Sequence, residues 1–161
     1  MSRWTMPRAW QVSKATAATM PALIGVSRTP GTGVLAGAMR DCQDREVSNF
    51  VATVVSKQGL TTGTHAEIEA QNLANLVPGT DTYYFSSSVG LPVRHTQKSA
   101  GSEDGLFMVV ELSVAPTVFV QIWGYVHDTD LAADKLTLIG ELETESKADV
   151  VITGSYEPIR N

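Results

Sequence analysis

The sequence has a single cysteine, few charged residues and no long apolar run. Because Cys42 is the only cysteine among 161 residues, the chain forms no intrachain disulfide and no multi-cysteine zinc site. Charged residues make up 18% of the chain, with a formal net charge of -5. Nucleic-acid-binding proteins normally present a basic face, so we expect no nucleic-acid partner. No stretch reaches the ~20 apolar residues of a membrane-spanning helix, so we expect no such segment.

The composition is otherwise that of an ordinary globular domain. Hydrophobic residues make up 43% of the 161 residues, and a chain of this length buries roughly 70% of the surface that it exposes when unfolded. We therefore expect one domain over residues 33–161. Residues 1–32 have a different character and are predicted to be an N-terminal leader or extended arm.

The N-terminal segment has a basic beginning followed by an apolar stretch. Arg3, Arg8 and Lys14 precede the apolar residues 15–26, which is the outline of a secretory signal. The stretch is rich in alanine and threonine and is interrupted by Pro21. These features favour a flexible or surface-draped leader over an export signal.

Short β-rich runs separated by turn residues follow from Gly33 onward. The predicted strands cover residues 34–40, 50–56, 83–85, 93–99, 106–112, 117–126, 136–142 and 148–156. This spacing is typical of an all-β fold, an antiparallel sandwich of seven to eight strands. The polar run 93–99 is predicted to lie at a sheet edge.

The segment 65–77 has two interpretations. Thr64 and Glu67 have the spacing of a helix capping box, whereas Asn72 and Asn75 weaken a helix. The small and apolar residues that would share one helical face are Ala66, Ala70, Leu73 and Val77. A short helix and a long ordered loop both remain open.

Several segments, in order, resemble carboxypeptidase regulatory-like domains. Residues 33–41 and 45–54 resemble the family opening G-x-V-x-D-x-x-G-x-P-V-x-x-A-x-V-x-V. Residues 104–107 resemble the D-G-x-F turn that follows in the family. Residues 114–116 stand where the family often has a Pro-Pro-Gly turn, and the hydrophobic strand 118–125 comes next.

The resemblance implies a transthyretin-like or immunoglobulin-like sandwich. Such domains are usually extracytoplasmic, non-catalytic modules of enzymes, receptors or surface lipoproteins, and this sequence looks most like versions from Gram-negative bacteria. It implies a structural, adhesion or assembly module of a bacterial cell-envelope or secreted protein. One departure is Asp44, which occupies a turn where the family has glycine.

The sequence offers little for nucleophilic catalysis, which needs a nucleophile beside a base. The candidate bases are His65, His95 and His127, and no serine lies in a G-x-S-x-G turn. We interpret all three as surface histidines and Cys42 as an inert or half-buried thiol. The chain is therefore predicted not to be an enzyme.

An acidic loop offers a candidate calcium site. Asp128, Asp130 and Asp134 could supply the oxygen ligands that calcium prefers. The loop lacks the glycine and terminal glutamate of an EF-hand. A solvated acidic loop is the favoured interpretation, with calcium as the alternative and no other cofactor expected.

Strand 117–126 carries the candidate binding surface. Alternation places two sets on opposite faces, the aliphatic Val118, Val120 and Ile122 and the aromatic Phe119, Trp123 and Tyr125. The aromatic set is either an exposed strip for a sugar or protein, or a covered face. We expect cover from Trp4 and Trp10 or from a neighbouring subunit. The predicted partner is thus a protein or a second copy, with carbohydrate binding as the alternative.

Overall fold

The computed structural model describes residues 11–13, 29–41, 43–47, 50–75, 77–78, 80–86, 91–94 and 105–156. The strands are β1 (Gln11–Ser13), β2 (Gly33–Met39), β3 (Val51–Val55), β4 (Thr62–Gly63), β5 (Asp81–Ser86), β6 (Leu91–Arg94), β7 (Leu106–Leu112), β8 (Ala115–Gly124), β9 (Leu136–Ser146) and β10 (Val151–Tyr156). The helices are α1 (His65–Asn75) and α2 (Asp128–Ala132). Neither of these helices has both the length and the apolar composition needed to cross a membrane.

The strands form two sheets, which confirms the predicted all-β sandwich. One sheet has six strands in the order β1-β10-β2-β7-β5-β6, and the other has four in the order β3-β8-β9-β4. The described pairs are antiparallel except for β2 and β10, which run parallel from Val34↔Val151 to Met39↔Tyr156. β6 lies at the edge of the six-stranded sheet and overlaps the predicted edge strand 93–99 at residues 93–94, whereas residues 95–99 lie outside the described residues.

Part of the N-terminal segment belongs to the six-stranded sheet. β1 pairs with β10, with Val12 opposite Ile152. The next described residue after Ser13 is Thr29. Its backbone N–H and its hydroxyl both donate to Glu111 Oε1, at 3.1 and 3.0 Å. Residues 1–32 therefore contribute at least one strand to the sheet.

The main core lies between the two sheets, where β-branched and aromatic residues alternate with outward-facing ones. Phe50 packs edge-on against both Tyr84 and Phe107, with ring centroids 6.0 Å apart in each pair. The Tyr156 hydroxyl donates to Val120 O at 2.7 Å and so links the sheets across this core. Burial raises the pKa values of Tyr84 and Tyr156, which keeps both phenols neutral.

The turns at Gly105 and Asp44 have positive φ angles, which these two residue types tolerate. Gly105 has φ +66°, and a Cβ there would lie 2.7 Å from Met39 O, so glycine is required on both counts. Asp44 also has a positive φ of 62°. Aspartate tolerates this conformation better than most residues do, so the turn forms without glycine.

Residues 65–75 form a helix, which resolves the alternatives for this segment. The Glu67 backbone N–H donates to Thr64 Oγ1 at 3.2 Å, and the Thr64 N–H donates to Glu67 Oε2 at 2.8 Å. This reciprocal capping box begins α1. Hydrogen bonds from Thr64 hold the pKa of the Glu67 carboxyl below its usual value.

Candidate functional site

The outer face of the four-stranded sheet is covered by α1. Ile68 of α1 packs with Val51, Trp123 and Leu136 in a cluster separate from the main core. Trp123 and Ile68 are both 0% exposed. The aromatic side of β8 therefore has a partner within its own chain at the position of Trp123.

A buried chain of hydrogen bonds runs from the Trp123 indole across this face. The indole N–H donates to Thr53 Oγ1 at 3.0 Å, and that hydroxyl lies 3.3 Å from Gln121 Oε1. Thr53 and Gln121 stand directly opposite each other on β3 and β8, which places both side chains on the same face. The Thr53 hydroxyl thus accepts from the indole and donates to the amide.

Gln121 is the branch point of this network. Its Oε1 also accepts from Gln71 Nε2 of α1 at 3.2 Å, and its Nε2 donates to Glu141 Oε2 at 2.8 Å. Glu141 in turn accepts from Gln58 Nε2. A completely buried glutamine side chain is costly unless both ends of its amide are hydrogen-bonded, and here both ends are.

The network fastens the helix and a loop to the sheet. Gln71 donates to Gln121 and also accepts, through Oε1, from the Leu60 backbone N–H at 2.6 Å. One side chain of α1 therefore contacts both the sheet and the segment that leads into β4. We call Thr53, Gln71, Gln121, Trp123 and Glu141 the outer-face network.

A second polar group lies at the beginning of α1. The Tyr125 hydroxyl donates to Asp134 Oδ1 at 2.7 Å, and the His65 backbone N–H lies 3.3 Å from each oxygen of the same carboxylate. Asp134 thus joins the end of β8 to the first residue of α1. Burial, followed by the hydrogen bond to Asp134, raises the pKa of Tyr125 to about 12.

The three aromatic residues of the predicted strip have different surroundings. Trp123 is completely buried, whereas Phe119 and Tyr125 are half-buried. The three rings do not form one exposed strip, because α1 covers the middle of the face. The cover expected from Trp4 and Trp10 lies outside the described residues. The cover that the structure does describe is a helix from the middle of the chain.

The aspartates of the predicted calcium site have separate roles. Asp130 accepts from the His127 backbone N–H at 3.1 Å and so caps α2, whereas Asp134 binds Tyr125 and His65. Asp128 is exposed in the first turn of α2. In the described part of the chain, no three His, Cys, Asp or Glu side chains form a group that could hold a metal ion. Calcium binding stays a prediction.

Two of the four candidate catalytic groups lie in the described part of the chain, and one of them, His65, is half-buried and not at the surface as predicted. His127 is the N-cap residue of α2, and His65 is the first residue of α1. His95 and Cys42 lie outside the described residues.

The sequence did not lead us to predict the outer-face network, although Gln121 is the polar residue between the aromatic residues of the predicted strand 117–126. The signal that could have revealed it is an amide in a strand whose neighbours on both faces are apolar.

Comparisons of the chain with protein-family models, with curated proteins and with solved structures found no match in any of the three.

Proposed function

We propose that the chain is a non-catalytic β-sandwich module with a structural, adhesion or assembly role in a bacterial cell-envelope or secreted protein. This proposal rests on the contacts that side chains on the outer face of the four-stranded sheet make within the protein itself. Three of the side chains that the sequence indicated for binding or chemistry hold α1 and the β8–β9 connection against the sheet, namely Trp123, Tyr125 and Asp134. These contacts support a rigid scaffold whose binding surface lies on another part of the protein.

The Tyr125 and Asp134 pair illustrates this structural use. A phenol whose pKa is raised to about 12 remains protonated at neutral pH and continues to donate to the carboxylate. Asp134 also receives the backbone N–H of His65. The pair thus holds the end of β8 and the beginning of α1 together, which supports a scaffolding role for both residues.

The proposed kinship with carboxypeptidase regulatory-like domains has two structural supports. The glycine of the D-G-x-F segment, Gly105, has the positive φ that such a turn requires. Phe107, two residues later, is 1% exposed and enters the core between the sheets. Both features agree with a sandwich in which this turn leads into a central strand.

We propose that the module contacts a second copy through the β8–β9 connection. Val126 and Leu131 on this connection are 53% and 62% exposed, which is high for large apolar side chains. β4 pairs with β9 only at Leu136 and Thr137, so the rest of β9 lies at the edge of the described sheet. Glu141, Glu143 and Glu145 alternate along this part of β9, and such charges disfavour edge-to-edge strand pairing. An end-on contact through the connection is therefore favoured over sheet extension along β9.

Sedimentation velocity over a range of concentrations tests this contact. The double variant Val126→Ser/Leu131→Ser should weaken self-association. Val114→Ser is the matched control, because Val114 is 60% exposed but precedes β8, whereas Val126 follows it. A wild-type chain that stays monomeric, or equal weakening by both variants, would overturn the proposed contact.

Carbohydrate binding through the aromatic residues has less support, since Trp123 is buried beneath α1. A glycan array with the wild type, Phe119→Ala and Tyr125→Ala tests it directly. Saturable binding that both substitutions abolish would replace the scaffold proposal with the carbohydrate one.

Fractionation of the source cells tests the location, and recovery in the cytosol alone would contradict an envelope or secreted role.

A further inference from the structure

β9 is 11 residues long, and most of its outer edge has no neighbouring strand. β4 pairs with it only at Leu136 and Thr137, and the Leu138 N–H donates to Thr61 O beside them at 2.9 Å. Among the described residues, no strand lies beside residues 139–146 on the side away from β8. We call residues 139–146 the open edge of β9.

The open edge is accessible in the folded chain. Glu143 is exposed, and residues 139–142, 144 and 145 are half-buried, so the rest of the chain does not enclose them. Leu142 packs against the main core. Glu141, Glu143 and Glu145 lie on the opposite face of the strand, because side chains alternate along it.

The hydrogen-bond pattern determines which residues offer free backbone groups at this edge. The Ala52 N–H and C=O both bond the Tyr84 hydroxyl, so they point away from β8. Hydrogen-bonded and non-hydrogen-bonded pairs alternate along an antiparallel ladder. Ile122, opposite Ala52, therefore points its backbone groups toward β9. By the same alternation, Glu141 and Glu143 point theirs away from β8, toward the open edge.

The carboxylates at this edge retain their negative charge. Glu141 accepts hydrogen bonds from the neutral amides of two glutamines. In the part of the chain that the structure describes, neither Glu141 nor Glu143 has a salt bridge, whereas Glu145 pairs with Lys147. The open edge is thus acidic, on a chain whose formal net charge is -5, and a basic partner would be attracted to it.

We propose that the open edge of β9 accepts an extended segment of a partner protein as an added antiparallel strand, with lysine or arginine at alternate positions. Residues directly opposite each other in such a pair share a face. Basic side chains opposite Glu141 and Glu143 therefore meet carboxylates, and the residue between them points inward beside Leu142. Backbone hydrogen bonds provide the affinity of such strand addition, and alternate side chains provide its specificity.

This inference rests on the proposed assembly role and names the kind of partner. The same charges act against a second copy at this edge. Two β9 strands side by side would bring glutamates close to one another, and like charges directly opposite are destabilising. Charge therefore selects a basic strand over a second copy. The β8–β9 connection remains the proposed contact between copies.

Peptide binding to the full chain tests the proposal, at a concentration where the chain is monomeric. An octapeptide of alternating lysine and valine should bind, as measured by fluorescence anisotropy at physiological salt. A peptide of the same composition with its lysines grouped at one end should bind about 10-fold more weakly, because only alternation places the lysines on one face. Equal binding of the two peptides, or no binding of either, would overturn the proposal.

Amide hydrogen exchange shows where the peptide binds. The N–H groups of Glu141 and Glu143 should exchange quickly in the free chain and slowly in the complex. The N–H of Leu142 points toward β8 and should be protected in both states. If the Glu141 and Glu143 amides are already protected without peptide, or if the peptide protects another strand instead, the open edge is not the docking site.

A charge reversal distinguishes the open edge from general attraction to an acidic protein. Glu143→Lys should weaken binding of the alternating lysine peptide about 3-fold or more, and it should strengthen binding of an alternating glutamate and valine peptide. Asp128→Lys is the matched control, because it changes the net charge equally at an exposed position outside β9. Equal effects of the two substitutions would contradict docking at this edge.

The outcome is separable from that of the proposed contact between copies. Weakened self-association of the Val126 and Leu131 variants, without binding of the lysine peptide, would refute the open edge alone. Peptide binding by a wild-type chain that stays monomeric would support the open edge and refute the contact between copies.

Discussion

The indole N–H of Trp123 donates to the Thr53 hydroxyl, 3.0 Å away, in a fully buried position beneath α1. Trp123, which the sequence indicated as part of a ligand-binding surface, is therefore part of the protein's interior. It also links Trp123, through Thr53, to Gln121 and from there to α1.

Thr53→Val should destabilise the protein by about 1–3 kcal/mol, because the buried indole N–H loses its acceptor while the side-chain volume hardly changes. Denaturant titration measures this loss. Thr117→Val, at a half-buried position on β8, is the control and should cost less. Equal losses for the two variants would show that the hydrogen bond contributes nothing specific.

Phe107→Ala should cost ~3–5 kcal/mol, as truncation of a large core aromatic does. Phe107 is 1% exposed and packs edge-on against Phe50. Phe119→Ala removes the same atoms from a half-buried position and should cost clearly less. A loss below about 1 kcal/mol for Phe107→Ala in denaturant titration would contradict the described core.

Gly37→Ala should destabilise the protein by about 1–3 kcal/mol through overpacking. Gly37 stands opposite Phe107, and a Cβ at Gly37 would lie only 2.4 Å from the Phe107 ring. The double variant Gly37→Ala/Phe107→Leu relieves this clash. We therefore expect its loss to be smaller than the sum of the two single losses, and simple additivity would argue against the contact.

Tyr125 should titrate near pH 12, well above the usual ~10, in a difference spectrum between the wild type and Tyr125→Phe. Asp134→Asn should lower this pKa, because it removes the negative charge that accepts the hydrogen bond of the phenol and disfavours its deprotonation. Because the folded-state pKa is raised, the stabilisation by Tyr125 is fully present below pH ~10 and is lost as the pH rises through about 12. An unshifted pKa for Tyr125 would show that the pair does not form.

Much of the fold could be predicted because alternation and turn residues report local structure. The predicted runs 106–112 and 136–142 correspond to β7 (Leu106–Leu112) and to most of β9 (Leu136–Ser146). The short β1 and β4 were missed, since strands of three and two residues carry almost no periodic signal. The parallel pairing of β2 with β10 was also missed, because it depends on long-range topology.

The candidate site was harder to predict, because it depends on where one helix lies. The capping box of Thr64 and Glu67 is visible in the sequence, but the packing of Ile68 on Trp123 joins residues 55 positions apart. Alternation correctly separates Trp123 from Val120 and Ile122. It does not say what covers the second face, and so the prediction assigned that face to Trp4, Trp10 or another subunit.

The exposure of Trp123 in solution tests the central claim most directly. The variant Trp4→Phe/Trp10→Phe leaves Trp123 as the only tryptophan. Its fluorescence should be blue-shifted, weakly quenched by acrylamide and unchanged on dilution, and a further Ile68→Ala substitution in α1 should shift it to the red. Red-shifted, freely quenched emission from the variant with Ile68 intact, or a red shift on dilution, would contradict a Trp123 buried by its own chain.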